Sequence, residues 1–220
     1  MKLFVKSFAL LAAFIAGIAT AQPARFLEGT HYETIAKPVR TADPNKIEVT
    51  EVFWYGCPHC YAFEPLIDNW LKKLPADVAF VRSPGMWNPM MNTHAKILYV
   101  EQALGTFEKT HQLVFDTIQG RVAGPRNLLD KPDDIKAFFV AQGVDPAKFD
   151  AAWGSFAVAT EVKKAEARMK DYGVSGVPCL IVNGKYRTCG RDGIGEAKAH
   201  DEMLQVVDFL VAKERAAAKK

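Results

Sequence analysis

Cysteine is scarce in this chain: there are four in 220 residues, and none precedes Cys57. That count excludes a miniprotein built on disulfides and leaves room for chemistry plus one staple. Long basic runs are missing as well. Only the short Lys219–Lys220 tail breaks the pattern, and a net charge of +3 gives no footprint for nucleic acid. Apolar runs are short. Phe8 to Ile18, interrupted by Gly17, falls below the roughly 20 residues that a bilayer span needs, and no second stretch approaches that length. Internal repeats are absent, and so is low complexity beyond the Ala- and Lys-rich end.

What is present has a globular balance, with 49% hydrophobic and 24% charged residues. The length suits one domain of ordinary size with its own core. Residues 1–21 read as a cleaved secretory signal. Lys2 and Lys6 make a positive start, the apolar run follows, and Ala19-Thr20-Ala21 supplies a small-x-small site before Gln22. Without Lys2 and Lys6 the charge falls to about +1. Export would carry Cys57, Cys60, Cys179 and Cys189 into a compartment where disulfides persist.

Ile47 to Trp54 alternates apolar and polar residues and then turns apolar, which predicts a strand entering the core. Gly56 and Pro58 end it. A helix follows, with Phe63, Leu66, Ile67, Trp70, Leu71 and Leu74 at spacings of three and four, and with Pro65 inside it as a kink. Asp77 to Val81 reads as a second strand. From Met86 to about Tyr172 the pattern is helical. Phe107, His111, Val114, Phe115 and Ile118 form one stripe, Pro132 opens a further helix, and Asp145-Pro146 is a cap followed by proline. Leu180-Ile181-Val182, Asn183-Gly184 and Lys185-Tyr186-Arg187 predict a hairpin. Glu196 to Val211 closes the chain as a helix. This order implies an α/β core interrupted by a helical insertion.

Cys57-Pro58-His59-Cys60 falls where a strand meets a helix. Residues three apart share a helix face, so the two sulfurs can meet. Cys57 at the helix N-terminus has unpaired amides and the macrodipole to favour its thiolate, and His59 would add to that if charged. Pro58 removes an amide and stiffens the turn. A stabilised thiolate is a better leaving group, and it also stabilises the reduced pair, making the disulfide a stronger oxidant. Cys57 is therefore the attacked sulfur and the more exposed one, and Cys60 is the resolving sulfur.

The stretch Glu51-Val52-Phe53-Trp54-Tyr55-Gly56-Cys57-Pro58-His59-Cys60-Tyr61 resembles the active site of the DsbA family of bacterial periplasmic disulfide oxidases. Gly176-Val177-Pro178 and Leu180 to Tyr186 resemble that family's cis-proline loop and hairpin, and Phe149-Asp150-Ala151-Ala152-Trp153 resembles part of its helical insert. The resemblance implies a thioredoxin-like α/β fold over residues 22–85 and 157–220, with an inserted helical subdomain at 86–156. It implies Val177-Pro178 as a cis peptide whose backbone pairs with a bound substrate strand, and Glu51 as a buried acid relaying protons for Cys60. It also implies periplasmic location, action as a monomer on reduced or unfolded exported proteins, and reoxidation by a membrane-bound quinone-linked oxidase of the DsbB kind. No cofactor and no metal are called for. Cys179 and Cys189 depart from many relatives. A bridge across the hairpin is one reading, although a two-residue turn would pair Cys179 with Thr188 and put Cys189 on the other face. A bulge or a three-residue turn would bring the two together. Two separate buried thiols, or a Cys179 that interferes with the nearby redox chemistry, are the alternatives.

Plainer readings exist for each residue. Cys57 and Cys60 could be a structural bridge or half a zinc site, but the second cysteine pair lacks the usual short spacing. Glu51 could face solvent. His31, His94, His111 and His200 read as ordinary helix or loop residues. Met86, Met90 and Met91 could line an adaptable peptide surface or simply pack. The rival functions are a reductase or isomerase of the same fold, and a non-catalytic peptide-binding chaperone. Isomerases of this superfamily carry an added N-terminal dimerisation domain, and the roughly 25 residues between Gln22 and Ile47 leave no room for one.

Overall fold

Strand β2 (Ile47–Phe53) is the axis of the architecture. It is bonded on both sides, parallel to β3 (Val78–Pro84) and antiparallel to β4 (Cys179–Val182). The computed structural model describes residues 25–190 and 196–218. The proposed signal at 1–21 and the Lys219–Lys220 tail lie outside the described residues. Among those described, β1 (Glu33–Thr34) and β5 (Tyr186–Cys189) complete a five-stranded sheet in the order β1-β5-β4-β2-β3. This mixed α/β sheet is the thioredoxin-like fold.

Alternation along the strands sends side chains to two cores. On one face Val49, Leu180 and Val182 pack with Phe63 and Ile67 of α1 (Pro58–Leu71) and with Met203, Val206, Val207 and Leu210 of α7 (Glu196–Ala218). On the other, Val52 and Ile181 meet residues of α2 (Pro89–Leu104), α3 (Phe107–Ile118) and α6 (Phe156–Tyr172). The insert continues through α4 (Pro132–Ala141) and α5 (Pro146–Trp153), where the ring of the fully buried Phe139 lies tilted against that of Phe149, with centroids 5.3 Å apart. Burial of such a side chain contributes about 1.5–3 kcal/mol.

Local chemistry sets the helix ends. The side chains of Asn88, Asp145 and Ser155 accept the amides of Met91, Lys148 and Val158, and Gly173 ends α6 in the left-handed region at φ 63°.

Two sequence expectations need correction. The second strand runs to Pro84 rather than ending near Val81, because each residue from Val81 onward still has a register partner in β2. The hairpin does not have a two-residue connection. Asn183 and Gly184 are both left-handed, at φ 52° and 62°, and Lys185 is an extra residue before Tyr186 pairs with Val182. Lys185 is held out of the ladder because its carbonyl accepts the Ile35 amide at 2.7 Å, while that of Gly184 accepts the Val39 amide at 2.9 Å. The added residue shifts the register by one and sets Cys179 opposite Cys189.

Candidate functional site

The strand-to-helix turn places the Cys57 and Cys60 pair. Cys57 is the N-cap of α1, in extended conformation, with Pro58 as first helical residue. Its sulfur accepts the Cys60 amide at 3.4 Å, the bond a capping side chain makes. Both cysteines are free thiols. Cys57 is 7% exposed and Cys60 wholly buried, so an incoming sulfur meets Cys57 first.

The two thiols are displaced in opposite directions. Hydrogen bonding from the Cys60 thiol, helped by the amides of Cys60 and His59 and the His59 charge, outweighs burial and brings Cys57 from its ordinary 9.0 to about 6. Burial, then the bond to Cys57 and the charges of Cys57 and Glu51, push Cys60 up. His59 is exposed, and its Nδ1 lies 2.6 Å from Glu196 Oε1 at the start of α7.

Opposite the pair, the Val177–Pro178 peptide bond is cis. The Cys57 thiol donates to the Val177 carbonyl across 3.6 Å, so this loop lines the approach to the Cys57 sulfur. Trp87, 43% exposed, stands over the adjoining Gly85: a Cβ on that glycine would sit 2.7 Å from the indole and 3.0 Å from Val177. The sequence reading missed Trp87, since a lone Trp in a loop carries no periodic signal. Of Met86, Met90 and Met91, the first and last are buried and Met90 is half-buried. Next along the chain, Cys179 and Cys189 are joined by a disulfide, with Cα atoms 4.2 Å apart.

Glu51 is completely buried. It lies on the strand face of Leu180, its register partner, and is buried there because β2 is covered on both faces. Arg82 Nε is 3.3 Å from its Oε2, yet neither carboxyl oxygen has a hydrogen-bond partner among the described residues. Burial and the charge of Glu64 raise its pKa well above the ordinary value, against Arg82.

A polar chain that the sequence reading did not foresee leads away from this point. Arg82 Nη2 bonds Glu64 at 2.6 Å, and His111 Nε2 stands 3.5 Å from the other Glu64 oxygen. His111 Nδ1 is 2.7 Å from the Tyr55 hydroxyl, which bonds Glu101 at 2.5 Å, and Thr110 donates to Glu101 at 2.7 Å. His94 is likewise buried, between the Trp54 indole and the Leu128 carbonyl. His94 and His111 are thus structural polar residues inside the core. Only the appearance of Glu64 between Phe63 and Ile67 on an apolar helix face could have signalled the chain from sequence.

The comparisons with known proteins agree with one another. A family model described as a DSBA-like thioredoxin domain matches residues 80–200. The chain is 43% identical over 220 residues to the thiol:disulfide interchange protein DsbA of Pseudomonas syringae pv. tomato, covering 100% of this chain and 99% of the relative. It is 42% identical over 200 residues to that of Pseudomonas aeruginosa, covering 91% of each. The crystal structure of P. aeruginosa DsbA superposes with a TM-score of 0.80 at 42% identity, over 89% of this chain and 97% of that one.

Proposed function

Because the chain belongs to the DsbA family of thiol:disulfide interchange proteins, and is a thiol–disulfide oxidoreductase, we propose that it works as a net oxidase, donating a Cys57–Cys60 disulfide to cysteine pairs of exported polypeptides. The observation that carries this direction is the split between the two thiols, with Cys57 near 6 and Cys60 raised.

A substrate thiolate attacks Cys57 Sγ and displaces Cys60. Cys60 leaves into a buried site that disfavours its anion, so it takes a proton, and the Glu51 carboxyl is the donor within electrostatic reach. A second substrate thiolate then attacks the substrate sulfur of the mixed disulfide and expels Cys57 as a stabilised thiolate. Two electrons pass to the protein, and one disulfide is left in the substrate. At pH 7 the lowered Cys57 pKa favours the reduced pair by roughly 1 kcal/mol, or about 20–30 mV for this two-electron couple.

Pro58 and His59 set the cap geometry and the charge beside Cys57, and the Val177–Pro178 backbone receives the substrate strand. The working unit is a monomer with a thioredoxin-like domain at 22–85 and 157–220 and a helical subdomain at 86–156. It acts in the periplasm and is reoxidised by a membrane-bound quinone-linked oxidase of the DsbB kind. No helix among the described residues is long and apolar enough to cross a membrane.

The test is the equilibrium of Cys57/Cys60 with glutathione on the mature protein. A potential above that of glutathione is expected, and one near thioredoxin's overturns the oxidase direction. Cys57→Ser should lose turnover entirely, and retained activity would rule out Cys57 as the exchanging sulfur.

A further inference from the structure

Residues 173–178, which carry Val177 and Pro178, are gripped at both ends by one strand. At the start of this loop Arg187 of β5 donates through Nη1 to the Tyr172 carbonyl at 3.0 Å and to the Gly173 carbonyl. At its end Cys179, the residue after Pro178, is bonded to Cys189 of β5. Arg187 and Cys189 are two residues apart on a strand and so point to the same side. β5 is braced in turn. Arg187 also pairs with Glu33, Thr188 donates to the His31 carbonyl at 2.9 Å, and β1 adds its two-residue ladder.

We propose that the Cys179–Cys189 disulfide and Arg187 together form a splint that presets the Val177–Pro178 backbone for an incoming peptide strand. They are positioning residues. Neither touches the reacting sulfurs, and both act through the loop whose Val177 carbonyl stands 3.6 Å from Cys57 Sγ. The inference rests on the reading of that loop as the docking strand. Its physical content is preorganisation: a loop already held in its bound shape loses little freedom when the substrate arrives, whereas a loop tethered at one end must be ordered at the expense of affinity. The disulfide has no electron-transfer role here. The partners that lower the Cys57 pKa, Cys60 and His59, lie in α1 within three residues of it, so cutting the splint leaves them in place.

The experiment replaces both cysteines together, Cys179→Ala with Cys189→Ala, so that no thiol remains to trade with Cys57. Steady-state oxidation of a reduced two-cysteine peptide is measured with glutathione disulfide as reoxidant. KM should rise about tenfold, kcat should fall by less than KM rises, and the Cys57/Cys60 equilibrium with glutathione should not move. An unchanged KM in a folded but less heat-stable variant means the disulfide is only a staple, and it overturns the proposal. Should the double variant fail to fold, Arg187→Met in the disulfide-intact protein carries the same KM readout and the same two outcomes. Pro178→Ala separates the levels of the argument. If it raises KM while the cysteine-free variant does not, the splint falls and docking stands. If it too leaves KM unchanged, the docking reading falls and the splint with it.

Discussion

Arg82 faces Glu51 directly across the β2–β3 ladder: the two are register partners, and the guanidinium Nε lies 3.3 Å from the carboxyl. The same side chain reaches Glu64 of α1 at 2.6 Å. One buried cation therefore serves two buried acids, one on the strand under the active-site helix and one on the helix itself. Removing it takes away the guanidinium that both acids share, and leaves Glu64 with His111 alone at 3.5 Å. Arg82→Met is expected to destabilise the fold by about 3–5 kcal/mol, read as a lower urea midpoint at pH 7. A loss below about 1 kcal/mol would mean that both acids are neutral in the folded protein.

Glu101 gives stability a pH dependence of its own. Burial, working against the bonds from Tyr55 and Thr110, lifts its pKa from the ordinary 4.5 to about 8. The folded protein thus holds this proton more tightly than the unfolded chain. Its stabilising effect is complete below about pH 4.5 and is lost as pH rises toward 8. Glu101→Gln should flatten that decline, gaining about 1–3 kcal/mol over wild type at pH 8 relative to pH 5. Denaturant titrations at the two pH values measure the difference. Parallel slopes for the two proteins would contradict it.

The Cys57 shift has the opposite sign. With a folded pKa near 6, down from 9.0, the reduced protein gains stability from this thiolate above pH 9 and loses it as pH falls through 6. Alkylation by iodoacetamide should follow a titration centred near pH 6, with Cys60 unreactive beside it. His59→Ala removes a charge that helps lower Cys57. It should move the midpoint upward and make the disulfide less oxidising. A midpoint that stays put would assign the shift to the amides and the Cys60 thiol alone.

Gly184 has no room for a side chain. A Cβ there would fall 1.9 Å from the Val39 carbonyl oxygen, in a left-handed backbone at φ 62°. Gly184→Ala should cost at least about 2 kcal/mol, visible as a drop in Tm. Gly105, also left-handed but with open space around its Cβ, should lose only about 1 kcal/mol on the same change.

The parts of this protein that were legible in its sequence are the ones made by neighbours along the chain. The cap at Cys57, the three-residue spacing to Cys60, the Asp145-Pro146 helix start and the turn at Asn183-Gly184 each follow from a few consecutive residues. The hairpin register did not follow, because the residue pushed outward, Lys185, is held by Ile35, some 150 residues away. Arg82 lies just past the strand read from Asp77 to Val81, and its pairing with Glu51 of β2 keeps that strand going. Tyr55, Glu101 and His111 each read as unremarkable within their own segments. Their meeting is a product of how α2 and α3 pack over the end of β2, and no local pattern encodes it.

β1 is the first described strand in the chain, and its partner β5 is the last described one. Glu33 meets Arg187 across 154 positions. A chain emerging N-terminus first must therefore carry this short strand unpaired until most of the sequence has followed. The parallel β2–β3 pair and the helical insert can form in the meantime, but the brace behind β5 cannot. The Val177–Pro178 loop is accordingly among the last parts of the molecule to take its final shape.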